Sequence, residues 1–102
     1  MITKQYVIKK LKEYKEVLKE NFSIKQIGIF GSYAKDNFND ESDIDIYVEF
    51  DLDKISLDKY FALIEFLEKK FKRKVDIITK GGIQTIRIPE VKREIEESIK
   101  VL

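Results

Sequence analysis

Two stretches of the chain carry apolar residues at steps of three and four between lysines and glutamates, a pattern typical of amphipathic helices. The first covers residues 3–21, with Thr3 as its N-cap. The second covers residues 56–70, with Ser56 as its N-cap. Its predicted buried stripe consists of Leu57, Phe61, Ile64 and Leu67 or Phe71. A third long helix is predicted over Pro89–Ser98 because proline fits the first turn of a helix.

Shorter apolar runs predict strands over residues 24–30, 43–50 and 75–79, and a small edge strand over residues 100–102. Gly28 lies inside the first run. A glycine there weakens the strand and marks a place where another backbone comes close.

Between the first two strands, a short helix is predicted to start at residues 33–35 with Ser32 as its N-cap, and Gly81-Gly82 is predicted to be a turn. The element order is then helix, strand, short helix, strand, helix, strand, helix. This order predicts a single domain over residues 1–102, of the α/β or α+β class, with a small β-sheet flanked by helices.

The amino-acid composition excludes several kinds of binding and catalytic site. Lys and Arg number 20 and Asp and Glu number 19, and this near-balance gives no overall attraction to nucleic acid or to a membrane surface. The chain has no Cys and no His, which excludes thiolate, disulfide and imidazole sites. Any catalysis must therefore use carboxylates, lysines, hydroxyls and metal ions. Because no apolar run is long enough for a signal peptide or a bilayer span, we expect a cytoplasmic protein.

Two aspartates at the start of the second strand are the main candidate site. Side chains alternate between the faces of a strand, so Asp43 and Asp45 share one face and Ile44 and Ile46 share the other. Two neighbouring carboxylates repel unless a cation lies between them. Magnesium suits such hard oxygen ligands.

Two further features point to phosphate chemistry. Gly31-Ser32, followed by a helix N-terminus, can hold a phosphate through a hydroxyl and free N–H groups. Asp76 lies inside an otherwise apolar strand, where a buried aspartate is costly unless it is paired or metal-bound. Together with Asp43 and Asp45, these residues describe two-metal phosphoryl or nucleotidyl transfer, in which one aspartate can accept the proton of the attacking hydroxyl.

Taken singly, each motif has an ordinary structural explanation. An Asp-x-Asp pair is often only the start of a strand beside turn residues, and Gly-Ser is commoner still. The acidic segment lacks the glycine and the final glutamate of an EF-hand loop. No Gly-Lys-Ser/Thr phosphate loop and no Gly-x-Gly-x-x-Gly motif is present.

The combined motif resembles a known family. Gly31-Ser32-Tyr33-Ala34-Lys35, followed by Ser42-Asp43-Ile44-Asp45-Ile46, resembles the signature of the minimal nucleotidyltransferases, members of the DNA polymerase beta-like superfamily. Lys74-Val75-Asp76-Ile77-Ile78 resembles the third-aspartate strand of that family. The resemblance covers most of the chain and implies the family's fold, a small mixed β-sheet flanked by helices. Lys35-Asp36 stands where the family has Arg-Gly. Lysine keeps the positive charge but cannot donate the paired hydrogen bonds of an arginine guanidinium group.

The resemblance also implies roles. Gly31, Ser32, Lys35 and Ser42 would bind the nucleotide. The three aspartates, Asp43, Asp45 and Asp76, would hold magnesium, with two ions expected, and Asp76 would also serve as general base. ATP would be the substrate.

Small members of this family resemble the antitoxins of two-gene modules, which implies a helical HEPN-domain toxin as partner in a hetero-oligomer, with AMP transferred to a tyrosine of that toxin. No membrane and no direct nucleic-acid contact is expected. Two alternatives stay open. One is a catalytically weak or inactive module that neutralises its partner by masking it. The other is a nucleotidyltransferase that acts on a small molecule or on RNA.

Overall fold

The computed structural model describes residues 3–31 and 43–102. Its elements are α1 (Lys4–Phe22), β1 (Ile24–Ile29), β2 (Ile44–Phe50), α2 (Leu57–Phe71), β3 (Val75–Thr79), α3 (Lys80–Gln84), α4 (Pro89–Ser98) and β4 (Lys100–Val101). The four predicted strands and the three long helices are thus confirmed, with small differences at their ends. The short helix predicted at residues 33–35 lies outside the described residues.

Side-chain caps begin the two longest helices at the predicted residues. Thr3 Oγ1 accepts a hydrogen bond from Tyr6 N at 3.1 Å, and Ser56 Oγ accepts one from Lys59 N at 3.2 Å. Each cap satisfies an N–H group that has no partner within the helix. None of the helices in the described part of the chain is long and apolar enough to cross a membrane.

The predicted turn at Gly81-Gly82 is wrong, because these glycines belong to α3. Thr79 Oγ1 accepts a hydrogen bond from Gly82 N at 2.9 Å and so caps a short helix at the end of β3. Because glycines are poor helix formers, the sequence does not indicate a helix here. The capping hydroxyl of Thr79 stabilises its start.

The strands form one mixed sheet in the order β3-β2-β1-β4. β1 runs antiparallel to β2 and to β4, whereas β2 and β3 are parallel. Gly28 pairs with Val101 of β4, and a Cβ atom on Gly28 would lie 3.0 Å from the Val101 Cα. The predicted close approach of a second backbone at Gly28 is therefore confirmed.

The two faces of the sheet are covered differently. One face, which we call the helix-packed face, lies against α1 and α2. The fully buried side chains between this face and the two helices are Val7, Leu11, Leu18, Ile27, Ile29, Ile44, Ile46, Val48, Leu63 and Leu67. The other face, which we call the aspartate face, carries Asp45 and Asp76 together with a smaller apolar cluster. That cluster consists of Phe30, Tyr47 and Ile83, packed by Ile78, Ile95 and Ile99.

The predicted buried stripe of α2 is wrong at its first two positions. Leu57 is 69% exposed and Phe61 is 58% exposed, whereas Leu63, Leu67 and Phe71 are buried. Apolar residues occur on more than one side of this helix, so periodicity alone allows two stripes. Contact with α1 and the sheet buries the second stripe and leaves the start of the first in solvent.

Candidate active site

Asp45 and Asp76 lie side by side on neighbouring strands. They are register partners in the parallel pair formed by β2 and β3, and the adjoining Ile44 N donates to Lys74 O at 3.0 Å. Neighbouring strands are roughly 4.8 Å apart, and register partners project from the same face. The two carboxylates that the sequence assigns to one site are therefore brought together by the strand pairing.

The three aspartates differ in exposure. Asp45 is half-buried, whereas Asp43, which directly precedes β2, and Asp76 are exposed. The expectation that Asp76 is buried is wrong. β3 is an edge strand of the sheet, and the apolar neighbours Val75 and Ile77 pack toward the helix-packed face while Asp76 points the other way. Asp76 is thus accessible from solvent.

Gly31 adjoins the Asp45 carboxylate. Its φ of +59° lies in the left-handed region, and a Cβ atom there would stand 2.8 Å from Asp45 Oδ2. Phe30 N donates to Asp45 O at 3.1 Å, which fixes the end of β1 beside the start of β2. Glycine is therefore required here by both its backbone conformation and the space that the carboxylate occupies.

Ser98 is a supporting residue that the sequence does not indicate. Gly31 N donates to Ser98 Oγ at 3.1 Å, and Ser98 Oγ donates to Ile95 O at 2.7 Å. Its side chain is buried at the end of α4. Because the Gly31 N–H is used in this bond, Gly31 contributes space and backbone shape to the site. A serine in the last turn of a helix gives no periodic signal that could have revealed this role.

Within residues 3–31 and 43–102, no group of three or more acidic side chains is arranged so that it could hold a metal ion by itself. The pair formed by Asp45 and Asp76 nevertheless fits magnesium. Magnesium is usually bound through one or two carboxylates together with water and substrate phosphates, rather than by a cage made only of protein ligands. The predicted three-aspartate ligand set stays a prediction.

Farther along β2, charged and aromatic groups follow the aspartates. Glu49 Oε1 pairs with Lys80 Nζ at 3.2 Å, and Tyr47 lies between this pair and Asp45 on the same face. Burial raises the pKa of the Tyr47 phenol, the Glu49 charge raises it further, and Lys80 opposes both.

Two pockets flank the ion pair between Glu49 and Lys80. A pocket of about 270 Å³ lies over Tyr47 and is bounded by α3 and the end of α4. A larger, mostly apolar pocket of about 570 Å³ lies at the carboxyl ends of β2 and β3, against the first turn of α2. Lys80 and Gln84 line both pockets.

The predicted nucleotide-binding residues Ser32, Lys35 and Ser42 lie outside the described residues, as does Asp36. Their roles stay predictions. Among the predicted site residues that the structure describes, it brings together Gly31, Asp45 and Asp76, with Asp43 just before β2.

Comparison with known proteins identifies the family of this chain. Residues 11–102 match the family model of the nucleotidyltransferase domain. A candidate protein adenylyltransferase of Methanocaldococcus jannaschii is 47% identical over 90 residues, which cover 87% of each chain. The protein adenylyltransferase MntA of Thermococcus cleftensis is 34% identical over 95 residues, covering 93% of this chain and 95% of the relative.

Solved structures confirm the fold. A candidate minimal nucleotidyltransferase superposes with a TM-score of 0.76 at 18% identity, over 98% of this chain and 96% of the other. A toxin–antitoxin structure with AMP-PNP superposes with a TM-score of 0.64 at 21% identity, over 88% of this chain and 69% of the other. The predicted small mixed sheet flanked by helices is the fold of these proteins.

Proposed function

Because this chain belongs to the nucleotidyltransferase domain family and is a nucleotidyltransferase, we propose that it transfers AMP from ATP to a tyrosine of a HEPN-domain toxin and so acts as its antitoxin. The names of its relatives, protein adenylyltransferases, support the reaction. The toxin–antitoxin structure with AMP-PNP supports an ATP-like substrate and a toxin partner in a hetero-oligomer. A cytoplasmic location is proposed as well, since ATP is available there.

The pairing of Asp45 with the exposed Asp76 carries the proposal, because it places two carboxylates at an open edge of the sheet. Asp43 and Asp45 hold magnesium, Asp76 completes the set, and two ions are proposed. Bound magnesium offsets the charge of the triphosphate and stabilises charge that develops on the reacting oxygens. Gly31 leaves room for the Asp45 carboxylate, and Ser32, Lys35 and Ser42 hold the phosphates.

In the proposed reaction, the tyrosine oxygen of the partner attacks the α-phosphorus of ATP. The new bond joins this oxygen to phosphorus, and the bond between the α-phosphorus and the bridging oxygen breaks, so that pyrophosphate leaves. Asp76 accepts the phenolic proton as general base. Its position on the exposed edge strand suits an acceptor that belongs to another folded protein.

The test is transfer of label from ATP that is labelled on the α-phosphate. Purified chain, magnesium and labelled ATP are added to lysate of the native host, with Asp43→Ala as the inactive comparison. A labelled protein band that depends on Asp43 and contains AMP joined to a tyrosine oxygen by a phosphodiester bond is expected. Label on RNA or on a small molecule would show that the acceptor is not a protein tyrosine, although the chain would still be a nucleotidyltransferase.

A masking module is the second candidate, and the exposed apolar side chains of Leu52, Leu57 and Phe61 favour it, since a partner could cover them. The masking and catalytic hypotheses predict different effects of Asp43→Ala on the neutralisation of a co-expressed partner. Loss of neutralisation with binding retained supports catalysis. Full neutralisation by the variant, without label transfer, supports masking.

A further inference from the structure

The pocket over Tyr47 is not used by the phosphate chemistry described above. It holds about 270 Å³ and is lined by Tyr47, Lys80, Ile83, Gln84, Glu96 and Ile99. Tyr47 and Ile83 are buried and form an apolar floor, whereas Gln84 and Glu96 are exposed at its margin. The pocket thus combines an apolar floor with three polar or charged side chains, Lys80, Gln84 and Glu96, a composition that suits a ligand with both a ring system and polar groups.

Its distance from the aspartates suits a nucleotide. Tyr47 follows Asp45 by two residues on the same face of β2, a separation of roughly 7 Å along the strand. The larger pocket begins at Glu49, roughly 13 Å along the strand from Asp45. A purine nucleoside spans roughly 9 Å at bond lengths near 1.5 Å. With the α-phosphate at Asp45 and Asp76, the base therefore reaches the smaller pocket and stops short of the larger one.

The polar groups of the pocket match adenine better than guanine. Gln84 is the last residue of α3, and its side-chain amide makes no hydrogen bond within the described residues, so both a donor and an acceptor are available. On its N7 edge, adenine presents the N6 amino donor next to the N7 acceptor, whereas guanine presents two acceptors, N7 and O6. A glutamine that reads this edge pairs with both groups of adenine and with only one of those of guanine.

We propose that the pocket over Tyr47 is the nucleoside subsite of this enzyme and that Gln84 reads the adenine base. The inference rests on the proposed function and extends it to nucleotide selectivity. Tyr47, Ile83 and Ile99 pack against the base. Glu96 accepts a hydrogen bond from a ribose hydroxyl, and the ion pair between Lys80 and Glu49 closes the end of the pocket.

Calorimetric titration with magnesium and ATP, GTP or tripolyphosphate tests the selectivity. The wild-type chain should bind ATP more tightly than either GTP or tripolyphosphate. Gln84→Glu removes the amide donor and keeps the side-chain size, so it should weaken ATP binding about tenfold and leave tripolyphosphate binding unchanged. The matched control is Gln5→Glu, an equally isosteric change at an exposed position of α1, which should alter neither.

Each other outcome is decisive. ATP binding no tighter than tripolyphosphate binding, or undiminished selectivity in Gln84→Glu, overturns the nucleoside subsite and leaves the proposed function standing if Asp45→Asn still abolishes label transfer. Absence of both nucleotide binding and label transfer in the wild-type chain overturns the proposed function and this inference together.

Photocrosslinking locates the base directly. A photoreactive 8-azido-ATP bound to the chain should attach to peptides from α3 or the end of α4, which contain Gln84, Glu96 and Ile99. Attachment to the segment with Leu57 and Tyr60 would assign the base to the larger pocket and contradict the proposal.

Discussion

The two faces of the sheet belong to the same strands but differ in composition and burial. On the helix-packed face, isoleucines of β1 and β2 and Val48 of β2 are fully buried against leucines of α1 and α2. On the aspartate face, the same strands present carboxylates, a tyrosine and an ion pair, and the apolar cluster is small. The larger apolar core thus lies on one face, and the other keeps polar groups accessible.

The largest expected effect on stability comes from the helix-packed face. Leu63→Ala removes a fully buried side chain of α2 and should lower the free energy of unfolding by about 2–5 kcal/mol. Leu57→Ala is the matched control on the same helix, where the side chain is 69% exposed, and should change it by less than about 0.5 kcal/mol. Urea unfolding monitored by circular dichroism measures both. Equal losses in the two variants would contradict the observed orientation of α2.

Leu57 and Leu63 also show which features of α2 can be predicted from the sequence and which cannot. Periodicity located α2 and its cap, because both depend on neighbouring residues. It did not select between the two apolar stripes of α2, because that choice depends on where α1 and the sheet lie. The same limit applies to Asp76, whose strand was predicted but whose exposure follows from the position of β3 at the edge of the sheet.

The candidate site divides in the same way. Asp45 and Gly31 could be predicted from local motifs, and strand pairing brings them together as expected. The contact between Gly31 and Ser98 joins positions 67 residues apart in the chain. No local pattern encodes such a contact, so it required the structure.

At the boundary between the faces, Gly31→Ala should harm activity more than stability. A left-handed conformation costs a non-glycine residue roughly 1–2 kcal/mol. The added methyl group must also displace the Asp45 carboxylate, and a displacement near 1 Å can reduce rate about 100-fold. The matched control is Gly81→Ala, where no atom lies within 4 Å of the new methyl group. Label-transfer rates and urea unfolding should be compared, and an active Gly31→Ala variant would contradict the account.

The smallest effect concerns Tyr47. The pKa of its phenol is raised from the ordinary value of 10.0, chiefly by burial, so the folded state holds the proton more tightly than the unfolded chain. This contribution to stability is complete below that value and is lost as the pH rises through the raised folded-state pKa. Tyr47→Phe should therefore flatten the fall in stability above about pH 10, as measured by urea unfolding at a series of pH values. An unchanged slope would show that the phenol does not contribute.

The most direct test of the contrast between the faces measures transfer and stability in the same variants. Asp45→Asn and Asp76→Asn each change one carboxylate of the pair, and removing the exposed Asp76 charge, one of two neighbouring like charges, should leave the free energy of unfolding unchanged or slightly higher. Each should lower transfer of labelled AMP by about 100-fold or more, whereas Asp53→Asn in an exposed loop should lower neither. Loss of transfer without loss of stability in Asp76→Asn is the predicted result. Transfer at the wild-type rate in both site variants would contradict the assignment of the aspartate face as the active site.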